Sequence, residues 1–139
     1  MSPNRRTSES GQPAPNIDNL KEPAMQYLLA IYTQESAAAQ ATPEDMKAMM
    51  GAYYAFTMEI KEKGVYLGGN ALQPTTTATT VRVREGNTIT TDGPFAETRE
   101  QLGGYYLVNC ENLDEAIAYA AKIPGAAFGS IEIRPVWAM

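Results

Sequence analysis

Between Met25 and Tyr32 the chain reads MQYLLAIY, placing Tyr27, Leu29 and Ile31 on one face of a strand and Leu28, Ala30 and Tyr32 on the other. A strand that is apolar on both faces belongs inside a sheet covered from two sides. This requirement sets the plan for the remainder of the chain, which must supply neighbouring strands, helices for one face and cover for the second. Thr42-Pro43-Glu44-Asp45 opens a helix, with Thr42 as N-cap, Pro43 in the first turn and acids beside it. Met46, Met49, Met50, Tyr53, Thr57 and Ile60 recur at helical spacing and read as a core face, and Gly64 closes the helix.

The later elements follow by the same rules. Val65–Leu67 is expected to be a strand running into Gly68-Gly69, and Thr79–Arg84 a strand with Val81 and Val83 inward and Arg82 and Arg84 outward. Glu85-Gly86-Asn87 is a turn signal after which Thr88–Thr91 pairs back as a hairpin. Gly104–Cys110 reads as another strand. Leu113, Ala116, Ile117 and Ala120 mark a helix that begins near Asn112 and ends before Pro124. Ser130–Trp137 is the last strand, with Ile131, Ile133 and Pro135 alternating against Glu132 and Arg134. The order β-α-β-(β-hairpin)-β-α-β is a ferredoxin-like α+β plan with an inserted hairpin. Its two helices cover one sheet face, so a homodimer is expected to bury the other.

Residues 1–24 are of another kind. They hold four of the nine prolines and few large aliphatic residues, and they read as an N-terminal arm expected to pack on a partner chain or across the sheet edge; residues 25–139 form the domain. Arg5-Arg6 has no apolar run after it, so an export signal is not expected, and the single cysteine, Cys110, suits a reducing, cytoplasmic setting as an inert buried thiol. With Lys+Arg 11 against Asp+Glu 16 and a net charge of −5, neither a nucleic-acid partner nor a membrane is expected. The chain has no histidine, which removes the serine triad, the Cys-His dyad and His-ligated zinc.

Residues 91–106, TDGPFAETREQLGGYY, together with Ala71-Leu72-Gln73-Pro74, Thr79-Thr80-Val81-Arg82 and the ending IEIRPVW, resemble the DGPF subgroup of the YCII-related family from Met25 to about Trp137. The resemblance implies a ferredoxin-like fold of the dimeric α/β-barrel type. It also implies kinship with small enzymes that act on ring compounds through a His-Asp pair, and with proteins whose genes lie beside those of alternative sigma factors. Without histidine that pair is incomplete, and Asp92 alone matches its acidic member.

Asp92 has two readings: a carboxylate that ties an Asp-Gly-Pro turn by accepting backbone N–H bonds, or a working group at a pocket rim beside Phe95. Glu97 and Glu100, at i and i+3, would share one side of a helical turn, and with Asp92 converging there the three are the catalytic candidates for acid–base work. The same acids could instead hold a divalent cation or pair with Arg99 and Arg82. No metal site or cofactor is assigned. The expected ligand-binding residues are Asp92, Phe95, Arg82, Tyr105 and Arg134, with Arg134 alternatively paired to Glu132. Tyr32, Tyr53, Tyr54, Tyr105 and Tyr106 either line an apolar cavity or are core tyrosines. Gly68-Gly69 and Gly103-Gly104 suit close packing or a bulge better than a phosphate cradle. Three functions fit: a ligand-binding or regulatory module, a cofactor-free enzyme acting on a small ring compound, and an interaction partner in sigma-factor-linked transcription control.

Overall fold

The doubly apolar segment is the inner strand β1, Met25–Thr33, with β5 (Gln101–Cys110) on one side and β6 (Ser130–Pro135) on the other. The computed structural model describes residues 24–138, so the arm expected over residues 1–24 lies outside the described residues apart from Ala24. β2, Tyr66–Ala71, pairs with the far edge of β5, giving an antiparallel sheet in the order β2-β5-β1-β6. With the helices α2 (Pro43–Glu62) and α3 (Leu113–Ala120), this is the ferredoxin-like α+β architecture. The core lies between sheet and helices: Tyr27, Leu29 and Ile31 of β1 and Tyr106, Val108 and Cys110 of β5 meet Phe56 and Ile60 of α2 and Ala116 and Ala120 of α3.

Local chemistry sets the helix ends. Thr42 Oγ1 accepts from the Asp45 amide at 3.0 Å and the Asp45 carboxylate accepts from the Thr42 amide at 3.1 Å, a reciprocal cap that satisfies donors the first turn would otherwise leave open. Gly64 ends the helix at φ 72°, a conformation that excludes most side chains. The Asn112 side chain caps α3 through the Glu115 amide at 2.9 Å. A single helical turn not expected from the sequence, α1 (Glu35–Ala38), joins β1 to α2. The Glu35 amide donates to Gln101 Oε1 at 2.9 Å, and its carboxylate accepts from the amide and hydroxyl of Thr75 at 2.9 and 2.7 Å.

The inserted hairpin forms with the expected turn but a different burial. β3 (Thr79–Arg84) and β4 (Asn87–Asp92) join through Glu85 and Gly86 at φ 51° and 80°, the positive pair that a two-residue hairpin loop demands. These strands form a separate two-stranded sheet, and none of their residues belongs to the buried core among the described residues. Val81 and Val83, expected inward, are each 59% exposed, while Arg82 between them is half-buried. β2 also differs from expectation, because Gly68 and Gly69 lie within the strand rather than beyond its end.

Candidate functional site

The Met stripe of α2 divides in two. Phe56 and Ile60, in the C-terminal half, are buried, whereas Met46 is 56% and Met50 70% exposed, so the expected core face does not extend to the N-terminal half. The cause lies in the opposing sheet. Opposite the C-terminal half, Tyr106 and Val108 rise from β5 and fill the space. The N-terminal half overhangs Gly69 of β2 and Gly103 and Gly104 of β5, which have no side chains to reach it. The result is a cleft of 780 Å³ with Met46, Met49, Met50 and Tyr53 as one wall, glycine main chain as the floor and α1 at its margin through Ala37 and Ala38.

The glycines are required for the strands to approach. A Cβ on Gly69 would lie 2.8 Å from the Tyr105 carbonyl oxygen, and one on Gly104 would lie 3.0 Å from that of Asn70. Both pairs sit at irregularities of the ladder, between Tyr66 and Gly68 in β2 and opposite Ile31 and Tyr32 in β5, as the bulge reading expected.

The cleft's polar groups are mostly phenolic and hydroxylic. Tyr53 Oη accepts from the Gly125 amide at 3.1 Å and retains its own proton to donate. Thr57 donates to the Tyr53 carbonyl oxygen at 2.8 Å, so Tyr106 is the donor in the 2.6 Å contact between the Tyr106 and Thr57 hydroxyls. Burial raises the pKa of Tyr53, partly opposed by the Gly125 bond, and raises that of Tyr106, partly opposed by Thr57. Both therefore stay neutral hydroxyls rather than bases at physiological pH. Tyr66, 6.3 Å from Tyr106 between ring centroids, Tyr105 and Phe128 add to the aromatic lining. Asp45 supplies the one charge among the described lining residues.

Of the residues expected to act, Tyr105 is among the lining of the cleft and the others lie elsewhere. Asp92 ends β4 opposite Thr79, exposed, and among the described residues nothing bonds its carboxylate. The main chain ties that turn instead: the Gly93 amide donates to the Ala78 carbonyl oxygen at 2.7 Å, and Thr80 Oγ1 donates to that of Gly93 at 2.9 Å. Phe95 and Glu97 are exposed and Glu100 half-buried in a stretch without a helical turn, so Glu97 and Glu100 do not share a helical side. Among the described residues no group of three acids gathers closely enough to hold a metal ion, and neither Arg82 nor Arg99 forms an ion pair. Tyr105 and Arg134 come together on the sheet face away from the helices, at a 320 Å³ depression that also includes Leu28, Ala30 and Tyr32. There Arg134 pairs with Glu132 at 3.0 Å, and Tyr105 Oη accepts from Asn70 Nδ2 at 2.9 Å. Of the five tyrosines, Tyr53, Tyr105 and Tyr106 line the cleft, Tyr105 also borders the open-face depression with Tyr32, and Tyr54 is exposed. Cys110 is buried.

Fold and site together define a small α+β domain with one helix-covered sheet face and a cleft at the edge of that cover. The chain belongs to the YCII-related domain family, whose model matches residues 25–139. It is also similar to an uncharacterized protein of Rhizobium meliloti (strain 1021), 40% identical over 114 residues that cover 81% of this chain and 92% of that protein. Among the described residues, no helix is long and apolar enough to cross a membrane.

Proposed function

We propose that this YCII-related domain is a ligand-binding or regulatory module, homodimeric and cytoplasmic, that takes a small ring-bearing molecule into the cleft beneath α2. The observation that carries this reading is the cleft itself: 780 Å³, walled by thioethers and rings, with a tyrosine hydroxyl able to donate. Such a concave, mainly apolar space with a few placed polar groups is the usual form of a small-molecule site. The homodimer is supported by the apolar residues of the sheet face that the helices leave uncovered.

The test is a thermal-shift screen of phenols and fused-ring compounds against the wild type and Met49→Trp, which fills the cleft from its wall. A ligand at 100 times its Kd adds about 2.7 kcal/mol, so a hit should raise the melting temperature by several degrees in the wild type and not in the variant. Absence of any hit, or hits that persist undiminished in Met49→Trp, would remove the reading.

A further inference from the structure

Resting on the reading of the cleft as a ligand site, we infer that its ligand is a lipophilic cation: a flat aromatic body carrying a positive nitrogen. Three features of the lining agree. The lining includes the aromatic residues Tyr53, Tyr66, Tyr106 and Phe128, and an aromatic face attracts a cation that an aliphatic wall would not. The thioethers of Met46, Met49 and Met50 are polarisable and conform to flat ligands. Among the described lining residues the one charge is the Asp45 carboxylate, a counter-ion for a positive ligand.

The helix end does not argue for the opposite sign. An open helix N-terminus would favour an anion, but here Thr42 and Asp45 already satisfy each other's amides. The basic group recorded against a lining residue is Lys61, its Nζ 4.9 Å from the centroid of the Tyr66 ring. It lies sixteen residues along α2 from Asp45, roughly 24 Å of helix axis, and outside the lining. It already occupies a face of that ring, which leaves the cation contact to Tyr53, Tyr106 and Phe128.

Three forms of one fluorescent rod separate charge from shape: diphenylhexatriene, its trimethylammonium derivative and its propionate derivative. Titrations run at about 0.3 M salt screen the net charge of the chain. The trimethylammonium form should bind at least about tenfold tighter than the propionate, as a cation–π contact with a nearby counter-ion allows. Asp45→Asn, which keeps an acceptor for the Thr42 amide, should narrow that ratio while leaving the uncharged parent unaffected. Met46→Lys, at an exposed position of the wall, should reverse the order. Equal binding of the three forms, or tighter binding of the propionate, overturns the inference and leaves the cleft a ligand site. Failure of all three to bind overturns both.

Discussion

Gly68 and Gly69 are neighbours in β2 with different tasks. A Cβ on Gly68 meets nothing within 4 Å, whereas one on Gly69 meets the Tyr105 carbonyl oxygen and the Tyr106 ring at 2.8 and 2.9 Å. Gly68→Ala should therefore be neutral or stabilise by up to about 1 kcal/mol through the unfolded chain. Gly69→Ala should destabilise by roughly 1–3 kcal/mol, since main chain on the facing strand must shift. Urea unfolding of the two variants checks the contrast, and equal effects would show that the strands do not need this approach. The glycine pairs were legible in the sequence as points of close packing. Which member of each pair bears the contact was not, because that depends on the register against β5. Asp92 shows the reverse case. Its Asp-Gly-Pro context reads as a carboxylate-tied turn, but the tie is made by the Gly93 main chain and the Thr80 hydroxyl, and sequence does not reveal which of several donors and acceptors within reach will pair.

At the scale of the element, periodicity identifies a helix more readily than it identifies what the helix faces. Met46, Met49 and Met50 share the spacing of Ile60, yet Ile60 is buried under the sheet and Met46 and Met50 stand largely in solvent. The distinguishing signal lay some twenty to fifty residues away, in the glycines of β2 and β5 that leave the N-terminal half without an apolar floor. Ile60→Ala should cost about 2–5 kcal/mol, whereas Met46→Ala and Met50→Ala should each fall within about 0.5 kcal/mol of the wild type. Chemical denaturation of the three variants tests the division of α2, which losses of similar size would contradict. The inserted hairpin follows the same lesson. Alternation and turn chemistry in Thr79–Thr91 revealed the pairing and the loop, but assigning Val81 and Val83 to the inside assumed a core beneath them, and no residue of this separate two-stranded sheet belongs to the buried core among the described residues.

For the molecule as a whole, the strand order was legible because one segment, Met25–Tyr32, admits only an inner position, and its neighbours then follow from element order. The same segment motivates the proposed homodimer: Leu28, Ala30 and Tyr32 face away from the helices, beside Leu102 and Tyr105. Light scattering at micromolar concentration should return twice the single-chain mass. Tyr32→Lys combined with Leu102→Lys should return a single chain with an unchanged circular-dichroism spectrum. A wild type that scatters as one folded chain would dismiss the dimer. The glycine floor carries a consequence of another kind. Where a pocket surface is main chain, drift in side chains cannot alter it, so diversification of ligand preference falls to the side-chain lining, and first to the opposite wall. That wall stands on positions 46, 49, 50 and 53 of α2, and Met46 and Met50 are exposed enough for replacement to leave folding almost untouched. A lineage built on this scaffold can exchange one ligand for another by changes on a single helix while the sheet is inherited intact.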